Sequence, residues 1–228
     1  MCPAETKDCF PLRTSASKKF LAASLVCVLL AGCAKRGDIA SSGEGIIQIR
    51  SACPIVAVAG HTGDVTLFDP PAGRTSEAID VSASISQLKS TCQETNGNMV
   101  SNATFLVTAL RRDPGPERVV ELPYFSTVVR GGTEVVAKRL GKVQLHFAEG
   151  ALRAQVYGAA ASSVEKSAAS LPSDIEQLIN RPRRAGSEEA ANDPLAQPRV
   201  KEAINRASFE LLVGFNLTQD QLRYNITR

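Results

Sequence analysis

The feature that most constrains the fold is a long succession of short apolar runs, rich in β-branched residues, between Ile46 and Tyr157. Turn-forming residues separate the runs, and this spacing is typical of an all-β sandwich. The clearest run places an apolar residue at every second position, namely Ile79, Val81, Ala83 and Ile85. A period of two predicts a strand with one buried and one solvated face. The chain therefore predicts seven to nine strands in a mainly β fold, an immunoglobulin-like or related β-sandwich.

Segments rich in glycine and proline mark where these strands turn. Residues 111–116 read Arg-Arg-Asp-Pro-Gly-Pro and cannot remain inside a sheet, because proline has no N–H to donate. Gly131-Gly132 predicts a tight hairpin, since both glycines tolerate a positive φ. Residues 149–151, Glu-Gly-Ala, predict a second hairpin between strands over 142–148 and 152–157. The sequence leaves the strand order open.

The composition changes at Gly158, where alanine, serine and glutamate replace the β-branched residues. Two capping boxes, at residues 162–165 and 173–176, each place a serine three residues before a glutamate and predict helices that begin there. Residues 181–198 are polar and contain three prolines, which predicts an exposed loop. A further helix is expected over residues 200–207, where apolar residues form one stripe.

Apolar residues at strict period two follow this helical segment and predict a final core strand: Phe209, Leu211, Val213, Phe215 and Leu217. We therefore interpret residues 158–208 as a helical insertion before the last strand of a single domain that spans residues 46–228. Thr218 to Gln221 is expected to cap a last helical turn.

The N-terminal segment has the anatomy of an export signal. Lys18-Lys19 precede an eleven-residue apolar run from Phe20 to Leu30, which is too short to cross a bilayer as a helix. Small residues and then Cys33 follow the run. An ordinary signal peptide, or a buried strand with an incidental cysteine, is the alternative. Residues 33–45 are rich in glycine, serine and charge, and predict a flexible tether.

The tetrapeptide Leu30-Ala31-Gly32-Cys33 resembles the lipobox of bacterial lipoproteins. The resemblance implies that residues 1–32 are removed as a signal peptide and that the Cys33 thiol carries a diacylglycerol. It also implies a membrane-anchored protein of the Gram-negative cell envelope, and Ala34 after the cysteine favours the periplasmic face of the outer membrane. The resemblance covers only residues 1–35 and brings no activity with it.

The cysteine pattern is consistent with export. Three of the six cysteines precede Cys33 and would leave with the signal, so that Cys53 and Cys92 remain. An even pair in an exported chain predicts a disulfide bond, and two free buried thiols are the alternative.

The charge of the chain argues against nucleic acid as a partner. The formal net charge is +3, and four basic against two acidic residues lie in the signal segment. The mature chain is therefore close to neutral and lacks the concentrated basic surface that nucleic-acid binding needs. We interpret the basic spots at Arg111-Arg112 and at residues 181–184 as solvated loop charges.

The sequence contains no motif of established catalytic, metal or cofactor chemistry. His61 is expected in a turn and His146 on the polar face of its strand, and neither has metal-ligand spacing with another candidate ligand. No phosphate loop, dinucleotide fingerprint or nucleophile elbow is present, so no cofactor is predicted. A site built from dispersed residues needs no local motif. An envelope-acting hydrolase or transferase is therefore the alternative to a non-enzymatic protein.

Two features are hypothesised to contact a partner. Leu122-Pro123-Tyr124-Phe125 combines a proline with two aromatics, which is typical of a packed strand end, and a recognition patch at a sheet edge is the functional alternative. The loop at residues 181–198 carries Arg183 and Arg184, and it is either a partner contact or a solvated linker. The sequence thus predicts a binding or scaffolding module whose partner is an envelope protein or polymer. A purely structural spacer is a third possibility, and the oligomeric state stays open.

Overall fold

The computed structural model describes residues 51–181 and 192–227, and most of that chain forms strands. Eight strands lie within these residues: β1 Ile55–Val58, β2 Asp64–Phe68, β3 Ile79–Thr95, β4 Asn98–Arg111, β5 Arg118–Arg130, β6 Glu134–Phe147, β7 Arg153–Glu165 and β8 Phe209–Phe215. The helices described in the same residues are α1 Ser173–Asn180, α2 Pro198–Ala207 and α3 Gln219–Thr227, with single 3-10 turns at Ser76–Ala78 and Pro194–Ala196.

The strands form two four-stranded sheets. The first sheet has the order β1-β8-β5-β6 and the second β2-β3-β4-β7. All neighbouring strands are antiparallel except β1 and β8, which run parallel. This two-sheet sandwich, with α1 and α2 inserted before β8, confirms the predicted fold class.

Alternate side chains of both sheets build the core between them. The largest fully buried side chains are those of Phe105, Phe147, Phe215, Leu122, Leu145 and Leu211. Burying each of these contributes roughly 1.5–3 kcal/mol relative to an exposed position. The predicted final strand is confirmed, because Phe209, Leu211, Val213 and Phe215 of β8 are all buried. The strand ends at Phe215, and Leu217 packs against the same core beyond it.

Two of the predicted turns have different outcomes. The Gly131-Gly132 hairpin is confirmed: both residues have a positive φ, 59° and 77°, and the turn joins antiparallel β5 and β6. The predicted hairpin at residues 149–151 is wrong, because β6 belongs to the first sheet and β7 to the second. Phe147 and Ala154, on either side of this connection, are both buried in the core between the sheets. The Glu-Gly-Ala turn does reverse the chain, but β6 and β7 do not pair with each other. Each strand buries one face in the shared core from its own sheet.

The two predicted capping boxes also differ. The helix expected at residues 162–165 is wrong, because these residues continue β7 and pair with residues 98–101 of β4. Ser162 and Val164 are buried there, so the strand has a partner and a core face that a local helix would lose. The helical insertion consequently begins after Glu165 and not at Gly158. The second box lies at the start of α1, as predicted, although Pro172 is its N-cap and makes no side-chain cap bond.

The inserted helices have a small core of their own. Ile175 of α1 packs with Val200 and Ala203 of α2, which confirms the predicted apolar stripe. The end of α2 contacts the turn between β5 and β6, where Arg130 Nε donates to the Arg206 carbonyl oxygen at 2.8 Å. A cation at this point also interacts favourably with the helix dipole.

At the C-terminal end, the predicted cap is confirmed. The Thr218 N–H donates to the Gln221 side-chain oxygen at 2.9 Å, and the Gln221 N–H donates to Thr218 Oγ1 at 3.2 Å. The three described helices are all too short or too polar to cross a bilayer.

The predicted disulfide is confirmed. Cys53 lies two residues before the start of β1 in the first sheet and bonds to Cys92 on β3 of the second sheet, with 39 residues of separation and 6.1 Å between the Cα atoms. The bond thus joins the two sheets covalently.

Candidate functional site

Tyr124, one of the residues predicted to contact a partner, lies between the two sheets. Its hydroxyl donates to the Ala159 carbonyl oxygen of β7 at 2.7 Å, and its ring meets Phe105 edge-on at 5.3 Å. A Cβ atom on Gly141 would lie 2.5 Å from the Tyr124 ring, so only glycine leaves room for it. Tyr124 therefore ties the sheets together, which is the packing alternative that the sequence left open.

Phe125 follows on the outer face of the first sheet and is half-buried. Its cross-strand partner is Leu140 on β6, and Lys138 Nζ lies 5.2 Å from its ring centroid. The prediction that this segment lies at a sheet edge is wrong, because β5 pairs with β8 on one side and β6 on the other. Pro123 is tolerated in this strand because the register between β5 and β8 begins at the next residue, Tyr124, and Pro123 contributes only its carbonyl oxygen, which accepts from the Asn216 N–H at 2.9 Å.

The exposed edge lies one strand further out, along the first half of β6. All seven residues from Glu134 to Leu140 are exposed, whereas the second half of the strand buries alternate residues. Three of the seven are large apolar residues with exposed fractions of 61%, 53% and 67%, namely Val135, Val136 and Leu140. Among the described strands, β6 has only β5 as a neighbour. Its other side is a row of main-chain donors and acceptors that another strand can pair with.

This edge is electropositive. Lys138, Arg139 and Lys142 are spaced along it, against a single acidic residue, Glu134. Lys142 Nζ lies 2.7 Å from a Glu121 carboxylate oxygen, and this hydrogen bond lowers the pKa of Glu121. Lys138 and Arg139 have no salt-bridge partner within the described part of the chain, so their charges are available at the surface.

A small groove runs beside this edge, between the two sheets. Its volume is about 90 Å³, and polar residues from three strands line it, namely Ser126 of β5, Arg139 of β6 and Ser162 of β7. Val128 and Leu211 form apolar parts of its wall. We call this feature the edge groove. Sequence reasoning missed it, because its residues come together only through the packing of two sheets.

A larger cavity, about 360 Å³, lies at the opposite end of β5 and is lined largely by charged residues. Its ionic side chains are Asp69, Asp80, Arg111, Arg112, Asp113 and Arg118. Arg118 binds Asp80 through two nitrogen–oxygen contacts of 2.8 and 2.6 Å, and Arg112 Nε lies 2.7 Å from Asp113. The hydrogen bond from Arg118 lowers the pKa of Asp80. A carboxyl held ionised in this way is a poor proton donor near neutral pH.

Arg111 in this cavity is buried, with only 7% of its surface exposed, so the interpretation of Arg111 as a solvated loop charge is wrong. It is the last residue of β4 whose side chain faces the opposite sheet. Its guanidinium group donates to four backbone carbonyl oxygens, those of Gly115, Pro116, Ala148 and Ala151. These carbonyls belong to the two connections that cross between the sheets. Arg111 therefore fixes the loops at this end of the sandwich.

The two histidines are exposed, His61 in a turn and His146 on the polar face of β6. Within residues 51–181 and 192–227, no three His, Cys, Asp or Glu side chains are grouped so that they could hold a metal ion. The lipid-attachment candidate Cys33 and the loop residues Arg183 and Arg184 lie outside the described residues.

The fold and the β6 edge together define a β-sandwich protein with an open, cationic strand edge in its described part. No protein-family model, curated protein or solved structure matches the chain.

Proposed function

We propose that this protein is a lipid-anchored lipoprotein of the bacterial envelope that binds an extended segment of another envelope protein along β6. The observation that carries the proposal is the half-strand from Glu134 to Leu140, which is exposed on both faces and has a strand neighbour on one side only among the described residues. A segment that adds to such an edge gains affinity from main-chain hydrogen bonds and specificity from alternate side chains.

The apolar residues of this half-strand support binding rather than a passive surface. Natural edge strands are commonly short, charged or covered, which prevents unwanted pairing. Here β6 is 14 residues long, and Val135, Val136 and Leu140 are more than half exposed. A docked strand would cover these side chains, and Phe125 beside Leu140 would extend the apolar contact surface.

The anchor is proposed from the N-terminal sequence, where Lys18-Lys19, the apolar run and Cys33 follow one another in the order of a lipoprotein signal. The Cys53–Cys92 disulfide supports an oxidising compartment, because such bonds persist mainly in exported proteins. A diacylglycerol on Cys33 gives stable attachment, since each buried methylene contributes about 0.8 kcal/mol and two chains act together.

The binding edge is tested by photocrosslinking in cells. A photoreactive amino acid at position 136 is expected to give one discrete adduct, and mass spectrometry should map the crosslink to a single extended segment of the partner. The matched control is position 110, because Leu110 is 47% exposed on β4, an interior strand that pairs with β3 on one side and with β7 on the other. Equal adducts from both positions, or none from position 136, would contradict binding at β6.

The anchor is tested by fractionation. Cys33→Ala is expected to move the protein from the membrane fraction to the soluble fraction, because the thiol that carries the lipid is gone. Cys27→Ala is the matched control, since it removes another cysteine of the same segment and should leave the protein with the membranes. Sedimentation of the Cys33→Ala protein with membranes would contradict lipid attachment at this residue.

A further inference from the structure

The edge groove has two polar walls that come from different sheets. Ser126 on β5 and Ser162 on β7 are both more than nine-tenths buried and both line it. Val128 and Leu211 surround them with apolar surface, which lowers the local dielectric constant and strengthens any polar contact made there.

The hydroxyl of Ser162 is buried and has no hydrogen-bond partner in the described structure. The same holds for Ser101, which is its register partner on β4. Buried polar groups are almost always hydrogen-bonded, and an unpaired one costs free energy. An orphan hydroxyl that lines a groove is therefore satisfied when an acceptor enters from outside.

Arg139 supplies positive charge at the same groove. It is the register partner of Ser126, it is exposed, and it has no salt bridge among the described residues. A guanidinium group presents a planar set of N–H donors that matches a carboxylate. The groove thus combines a cation with a hydroxyl donor, which is a donor set for an anion.

The size of the groove selects the kind of anion. Its volume of about 90 Å³ is well below the roughly 300–1,000 Å³ of pockets that bind whole small molecules. It accommodates a single short side chain. A strand docked on β6 directs alternate residues to this face of the sheet, so one of its side chains lies beside Arg139.

From these contacts we infer that the segment docked on β6 carries an aspartate or glutamate beside Arg139, and that the edge groove receives its carboxylate. This inference rests on the proposed function, because it requires a strand at β6. The partner is accordingly an acidic, extended peptide segment with apolar residues on its alternate positions.

A second copy of this chain fits the edge less well. Two β6 strands paired antiparallel would bring the cluster of Lys138, Arg139 and Lys142 against its own image, with Glu134 as the only acidic residue on each strand. Like charges directly opposite one another destabilise a strand pair. The charge of the edge therefore favours a different, acidic chain.

The test uses the purified lipidated protein in detergent micelles and two fluorescent, terminally blocked peptides of alternating threonine and valine. They differ only in a central glutamate or glutamine. We expect the glutamate peptide to bind about tenfold more tightly, which corresponds to about 1.4 kcal/mol. Arg139→Gln should abolish this preference, and Ser162→Ala should reduce it with no change in charge. Added salt should also reduce the ratio of the affinities for the glutamate and glutamine peptides.

Arg153→Gln is the matched control, because Arg153 is an exposed cation of β7 outside the groove, and this variant should keep the full preference. Circular dichroism and unfolding curves of each variant verify that the fold is retained. If the unchanged protein binds the two peptides equally, the carboxylate site is contradicted, but docking of a strand at β6 is not. Binding of neither peptide contradicts docking itself, and a dimer in sedimentation that excludes the peptides identifies a second copy as the occupant.

Discussion

At the end of β4, the guanidinium group of Arg111 is enclosed by carbonyl groups and not by a carboxylate. Its donor–acceptor distances to the oxygens of Gly115, Pro116, Ala148 and Ala151 range from 2.6 to 3.1 Å, and its Cζ lies 5.4 Å from the centroid of the Phe147 ring. Hydrogen bonds to a charged group are each worth about 1.5–3 kcal/mol, and they offset the cost of burying the charge. Lysine could not replace this fork, because its ammonium group is a compact point charge.

We expect Arg111→Met to lower the free energy of unfolding by roughly 2–4 kcal/mol, because four backbone carbonyls lose a charged donor while the side-chain volume is largely kept. Urea unfolding of the disulfide-intact protein measures the change. Arg112→Met is the control, since Arg112 is exposed and its salt bridge with Asp113 is worth about 1 kcal/mol at most. Equal effects of the two substitutions would contradict a structural role for Arg111.

At the scale of single elements, alternation of apolar and polar residues identifies the strands whose faces differ. This alternation predicts β8 and the first half of β3. The alternation ends at Ser86, whereas β3 continues to Thr95. The far half of β3 is solvated on nearly every residue, so it has no period to detect. The missed signal is Asn96-Gly97, since both residues take a positive φ, as a tight hairpin turn requires.

The helical predictions show how a local motif depends on its neighbours. Both capping boxes have a serine three residues before a glutamate, yet residues 162–165 form a strand and residues 173–176 begin a helix. The first box lies beside β4, and its main-chain hydrogen bonds to that strand stabilise it more than a single helix cap would. The second box pairs with none of the eight described strands, so its own apolar face, with Ile175 buried, determines the structure.

The binding edge could be predicted only in part, for the same reason. Phe125 is half-buried on the outer face of an interior strand and not at the predicted sheet edge, and Val135 and Val136 resemble core residues in the sequence. Their exposure follows from the strand order, because the opposite sheet does not cover this half of β6. Strand order depends on contacts between distant segments, and a single sequence carries no direct signal for those contacts.

At the scale of the whole molecule, the two sheets are held by the shared core, by the hydroxyl of Tyr124 and by one covalent bond. The core does not include the Cys53–Cys92 disulfide, which lies at the margin where β1 approaches β3. The sandwich should therefore fold without the bond, at lower stability.

Replacing both cysteines, as Cys53→Ser with Cys92→Ser, should lower the free energy of unfolding by about 4 kcal/mol on the chain-entropy estimate. The physical reason is that the bond closes a loop with 39 residues of separation and so restricts the unfolded chain. Chemical unfolding measures the loss, and reduction of the unchanged protein should reproduce it. A double variant as stable as the oxidised protein would contradict a stabilising role for the bond.

The position of Cys53 ahead of β1 also determines how a mechanical load enters the fold. Tension that arrives from the N-terminal side of the chain reaches Cys53 first and passes through a covalent bond into the long β3–β4 hairpin. The four-residue parallel ladder between β1 and β8 follows Cys53 in the chain, so the disulfide carries this load ahead of the ladder. Pulling on this side of the chain therefore loads the β3–β4 hairpin of the second sheet, and β1 is protected from being peeled away from β8.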